Sequence, residues 1–147
     1  MSEALAASLA GASPFSRSLF ADDAWTATQV TDFVNERRNA TIATTNASGQ
    51  PHAGVVIAGS VGDGIYFTVA PQSVLARNLA GNARIAFTIC DSKHAVLGQG
   101  TAVRVGPALE LQALLGELAA ASTAARFTPD GWDGDIYQID IRRIFAN

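Results

Sequence analysis

The chain has a single cysteine, Cys90, among its 147 residues, so no disulfide can form within it. A reducing, cytoplasmic setting is the corresponding expectation. Lysine is just as scarce. Lys93 stands alone, and the ten basic residues are scattered along the chain. An extended nucleic-acid surface needs clustered Lys and Arg, so that class of partner is not expected. The two histidines, His52 and His94, lie far apart and with one cysteine make no metal-ligand set. No apolar run approaches the roughly 20 residues that span a bilayer, and no membrane association is expected. No serine sits in a nucleophile-elbow pattern, which argues against a hydrolase.

What the chain does contain is apolar side chains, at 48% of residues against 16% charged, with a net charge of -3. That balance fits a globular protein with a core, and a chain of this length buries roughly 70% of its unfolded surface. One domain is the simplest reading, without an internal repeat. We place an N-terminal arm at 1–22 and the domain at 23–147. Residues 1–14 are Ala/Ser-rich with an acidic Glu3 and no basic start, so they read as a mobile arm or a short extra helix rather than a secretory signal.

Apolar periodicity sets out the elements. Asp22-Asp23 precede Trp25, Val30, Phe33 and Val34 on one helical face, which predicts a helix over 23–37. Short strands separated by turn residues follow at 41–46, 52–59 and 65–69. Ser73–Ala80 reads as a short helix and Arg84–Cys90 as a half-buried strand, with Cys90 a small buried residue at its end. Val96–Val105 is a strand interrupted by Gly98 and Gly100, which signal a bulge or a close approach by another group. Pro107 then opens a helix with a core stripe of Leu111, Leu114, Leu115 and Leu118. Residues 122–135 form a loop, and Tyr137–Ile144 alternates as a last strand. This pattern predicts a mainly β protein with flanking helices, built as a small antiparallel barrel.

The most informative stretch is Gly64–Leu79. An apolar strand stops at Ala70-Pro71, a serine stands where a helix begins, and Arg77 follows one turn later. Free N–H groups and a partial positive charge at such a helix start can hold an anion. Ser73 equally well caps its helix with no ligand present, and Arg77 equally well faces solvent.

With the elements in this order, the chain resembles the flavin-binding split-barrel family that includes pyridoxamine 5′-phosphate oxidase. The resemblance rests on Thr41–His52, a small-residue strand entering a Gly-Gln-Pro-His turn, and on Gly64–Thr68. It continues through Ser73–Leu79, Asn82–Ala86 and Gln99–Val103, and covers roughly 25–106 with a weaker echo in 137–145. It implies a six-stranded antiparallel split β-barrel that forms a homodimer, with FMN or a deazaflavin coenzyme at the subunit interface. It further implies that Val55, Val56 and Ile57 line the ring and that Thr68 gives a polar contact. Ser73, Arg77 and Asn78 would serve the phosphate, and Gln99 would reach the cofactor from the fifth strand. Trp132 is either a loop anchor or a cover for the partner subunit's ligand.

In one respect the chain departs from the family. Members that bind flavin phosphate usually carry a lysine two residues after the serine, and Leu75 stands there. Arg77 or Arg84 would then have to supply the charge. The expected function is a flavin- or deazaflavin-dependent oxidoreductase acting on a small organic substrate. The alternatives are a non-catalytic or diverged small-ligand binder that has lost the usual phosphate site and holds no flavin, or an enzyme with different chemistry on the same scaffold. Haem would need His52 or His94 as its axial ligand.

Overall fold

The computed structural model describes residues 1–147. Six strands close into an antiparallel barrel: β1 (Asn39–Thr45), β2 (Pro51–Val61), β3 (Gly64–Val69), β4 (Arg84–Cys90), β5 (Ala95–Pro107) and β6 (Asp135–Ala146). Their order around the barrel is β1-β2-β3-β6-β5-β4, and β1 pairs with β4 to complete the ring. Closure removes the sheet edges that would otherwise expose unpaired backbone. Alternate residues point inward, so Ile42, Phe67, Phe87, Ile89 and Ile144 form one continuous core.

Five helices flank the barrel: α1 (Ser2–Ala10), α2 (Pro14–Phe20), α3 (Ala27–Arg37), α4 (Val74–Gly81) and α5 (Gln112–Ala121). The N-terminal residues take the short-helix option. Leu5 of α1 joins the main core, and the Ser8 hydroxyl accepts a hydrogen bond from the Ile144 N–H at 2.9 Å. α3 starts at Ala27 rather than at 23. Thr26 and Gln29 cap each other reciprocally there, satisfying two free N–H groups, and Asp22-Asp23 stay outside the helix. Pro107 ends β5 instead of opening a helix. A 3-10 turn (Ala108–Glu110) intervenes, and α5 starts at Gln112. Leu115 and Leu118 are buried with Phe127 and Ile136 in a second cluster, against which Leu111, Leu114 and Ile57 pack.

Cys90 is exposed, not buried. It shares parity with Ala86 and Thr88, so it falls on the outward face of β4.

The β4–β5 turn is held by Asp91, whose Oδ1 accepts from the backbone N–H groups of Lys93 and His94, both at 2.8 Å. Those two bonds, then the nearby Arg37 and His94 side chains, hold its carboxyl below the usual aspartate range. The stabilisation is therefore present above the unfolded-state pKa of about 3.9 and fades as pH falls through the lower folded-state value. Asp91→Ala should lower the melting temperature near neutral pH. In melts repeated across the acid range, its deficit against the parent should shrink as pH falls below the ordinary aspartate range.

Candidate functional site

The site is built by an irregularity between β5 and β6. Gln99 pairs with Arg143 and Gly100 with Ile141, so one step along β5 spans two along β6, and Arg142 is the extra residue of a β-bulge. Consecutive strand residues normally face opposite sides, but the bulge brings Arg142 and Arg143 to the same groove. The close approach depends on two glycines. A Cβ on Gly98 would meet the Arg143 carbonyl oxygen, and one on Gly100 would meet that of Asp140. Arg84 completes the basic lining from β4. Its backbone N–H donates to the Asn82 Oδ1 at 3.1 Å, while the Asn82 amide donates to the Thr45 hydroxyl at 3.0 Å.

This groove has a volume of about 770 Å³ and runs over the outer face of β1, β4, β5 and β6, with Ser8 and Gly11 of the N-terminal segment on one wall. It continues, through shared residues Ala86, Gln99 and Arg143, into a second hollow of about 370 Å³ lined by Thr88, Leu97 and Phe145 and bordered by Ser13 and Ser16. One end is therefore cationic and the other largely apolar. No Asp or Glu lines either part, and Arg84, Arg142 and Arg143 form no ion pair. The Arg143 guanidinium lies 5.3 Å from the Phe145 ring centroid and donates to the Gly11 carbonyl at 3.4 Å.

The predicted residues are only partly brought together. Gln99 lines both parts of the groove. Val55, 74% exposed, points outward from β2; pairing runs from it through Thr41 and Thr88 to Leu97, so it shares the sheet face of the apolar end. Val56 instead faces the barrel core, and Ile57 packs against the second cluster. The Ile57 N–H donates to the Thr68 hydroxyl at 3.2 Å, so that side chain finishes the β2–β3 ladder. Ser73 caps α4 by accepting from the Ala76 N–H at 3.0 Å. Asn78 is buried and donates to the Thr44 hydroxyl at 3.0 Å, whereas Arg77 is exposed and lies outside the groove. Trp132 rests over Gly134 in a separate hollow beside α5, with Phe127 and the Arg126–Asp130 ion pair.

Leu75 is only 5% exposed and belongs to the main core. The position where the family's lysine would stand therefore packs the barrel here and adds nothing to the groove. Sequence reading passed over Arg142 and Arg143 as members of a site. The available signal was the break in alternation they cause near the end of an otherwise regular strand.

Neither histidine lines the groove. His94 lies against Trp25 in a tilted arrangement, with ring centroids 5.2 Å apart, and the His52 Nδ1 is buried without a partner. No three His, Cys, Asp or Glu side chains gather into a metal-binding group. No helix is long and apolar enough to cross a membrane.

Comparison with known proteins adds to this geometry. The family model described as pyridoxamine 5′-phosphate oxidase matches residues 26–146. No curated protein matches the chain. Among solved structures, a protein of unknown function from Agrobacterium tumefaciens str. C58 is 24% identical with a TM-score of 0.64, over 82% of this chain and 56% of that one. This chain thus spans little more than half of that protein's length. A conserved hypothetical protein from Mycobacterium tuberculosis is 22% identical with a TM-score of 0.68, over 83% of this chain and 84% of that one. The heme storage protein HutZ from Vibrio cholerae is 16% identical with a TM-score of 0.60, over 81% and 92% of the two chains. At these identities the likeness is one of fold.

Proposed function

Given that this chain belongs to the pyridoxamine 5′-phosphate oxidase family, we propose that it is a flavin- or deazaflavin-dependent oxidoreductase acting on a small organic substrate. The observation that carries this reading is the two-ended groove: arginines at one end, an apolar hollow at the other, and Gln99 between them. Each part by itself falls within the size range of small-molecule and cofactor pockets. A tricyclic ring with a phosphate on a short chain matches that division. The bound ring would supply hydride or electron-pair transfer.

The protein's own residues bind, orient and exclude water. Arg84, Arg142 and Arg143 offer forked donors to the anionic end. Gln99 presents an amide that can both donate and accept along the ring's polar edge. Thr88, Leu97 and Phe145 supply a low-dielectric surface. FMN and a deazaflavin coenzyme fit this arrangement equally.

A homodimer belongs to the same proposal. The outward positions Thr41, Ala43, Ala53, Val55, Ala86 and Thr88 carry no charge and form one contiguous sheet face that runs into the groove through Ala43, Ala86 and Thr88. An exposed barrel face is ordinarily more polar, and a second copy of this chain would cover it.

The purified protein is expected to sediment as a dimer and to bind FMN or a deazaflavin, read by fluorescence or calorimetry. A monomer with no response to either ring would sink the proposal. A second reading, a diverged small-ligand binder without a flavin, draws on the burial of Leu75, which removes the usual phosphate cation. It predicts that small anions bind the groove while neither ring does. Haem, the cargo named for the Vibrio cholerae protein, is not the ligand we propose, because neither imidazole lines the groove.

A further inference from the structure

We propose that the groove is built for a ligand carrying two or more anionic groups at one end, such as a diphosphate or a phosphate accompanied by carboxylates. The inference rests on the reading of the groove as a cofactor site, and it adds the charge class of what binds there.

The first support is the charge inventory. The chain is acidic overall, at -3, and holds only ten Lys and Arg residues, yet three arginines converge on one groove without a carboxylate partner. Elsewhere Arg104 pairs with Asp135, Arg126 with Asp130, and Arg37 with Glu36 and Asp91, while Arg17, Arg38 and Arg77 form no ion pair but stand outside the groove, so the groove is the one place where unpaired arginines gather. Three like charges placed together repel one another, which costs free energy in the empty protein. One phosphate monoester carries at most two negative charges and would leave the third cation uncompensated.

The second support is spacing. Arg143 pairs with Gln99 on β5, which pairs with Ala86 on β4, and Arg84 is the next outward residue on β4. Two strand spacings and one outward step separate their backbones by roughly 12 Å. Guanidinium groups reaching inward from such positions meet neighbouring anionic groups more readily than they crowd around one phosphorus. Asn82 and Thr45, which also line this end, add polar contacts between them.

The third support is the bulge itself. Regular pairing would have sent Arg142 to the opposite face from Arg143. The chain adds a residue to β6 and places glycines at 98 and 100, and both arginines reach the same groove.

Calorimetric titration at fixed ionic strength tests this with inorganic phosphate and pyrophosphate as probes, and with FMN and FAD as the ring-bearing pair. Pyrophosphate is expected to bind at least tenfold more tightly than phosphate. Arg84→Ala, Arg142→Ala and Arg143→Ala should each reduce that ratio to about threefold or less, while Arg126→Ala, outside the groove, leaves it unchanged. Equal binding of the two anions, or a preference that survives all three groove substitutions, overturns the inference. If FMN binds but the pyrophosphate preference is missing, the inference fails while the cofactor reading stands. If the preference is present and lost in the groove variants but no flavin or deazaflavin binds, the cofactor reading fails and the charge class stands.

Discussion

Replacing Asn35 with alanine is expected to lower the unfolding free energy by about 2–4 kcal/mol. β2 runs on to Val61, but its ladder with β1 begins only at the Asn39–Ile57 pair, so β2 beyond Ile57 lacks a strand on that side. The Arg38 carbonyl accepts from the Ala58 N–H at 2.8 Å. The Asn35 side chain then stands in for the missing strand. Its amide donates to the Ser60 carbonyl at 2.9 Å, and its carbonyl accepts from the Ser60 N–H at 2.7 Å. Asn35 and Ser60 are both buried, so no solvent replaces these bonds. Alanine would strand a buried backbone donor and acceptor together, each costing about 1–3 kcal/mol. Thr31→Ala removes only a 3.4 Å hydroxyl contact with Ser60 and should change stability by less than about 1 kcal/mol. Urea unfolding of the three proteins checks this. A loss for Asn35→Ala no greater than that for Thr31→Ala would refute the surrogate-strand role.

Gly98→Ala should be at least as damaging, at about 3 kcal/mol or more, and should also impair anion binding in whatever protein remains folded. The new methyl would meet the Arg143 backbone oxygen and the Phe87 ring. A flexible side chain can rotate away from such a clash. Here the main obstacle is backbone in the neighbouring strand, so β5 and β6 must part where the bulge aims Arg142 and Arg143. Gly116→Ala is the matched control. No atom stands near its Cβ position within α5, so alanine there should be neutral or stabilising by up to about 1 kcal/mol. Thermal melts of both variants, with pyrophosphate titration of the folded fraction, separate the two effects. Wild-type stability and binding in Gly98→Ala would show that the close approach is dispensable.

Much of this architecture is legible in the amino-acid sequence. Alternation at 84–90 and the turn residues at 47–49 and 62–64 mark strands because a half-buried strand must alternate and a tight hairpin needs residues that tolerate its dihedral angles. Gly98 and Gly100 were recognisable as positions of close approach, although the sequence did not say what approached. Helix starts were less legible. Asp22-Asp23 suited a positive helix end, but the Thr26–Gln29 capping box satisfies more backbone donors and fixed the start at Ala27.

The candidate site was legible in smaller part. Gln99 lines the groove, Val55 lies on its sheet face, and the short helix does begin after Ser73. Val56, Thr68 and Asn78 are committed to internal contacts that no local pattern announces. Leu75 is similar: read along the chain it is a missing cation, whereas the rotation of α4 makes it a core residue.

By itself the sequence determined the class of the protein and the succession of its elements, because period-two and helical patterns are local and survive without knowledge of neighbours. Tertiary structure alone decided which cations meet. Arg84 lies 58 positions before Arg142, and they share a groove only because β4, β5 and β6 are adjacent in the closed barrel. Whether a strand residue faces core or solvent depends on register, and a one-residue bulge reverses it. That reversal at Arg142 turns two consecutive arginines from opposed residues into partners in one site.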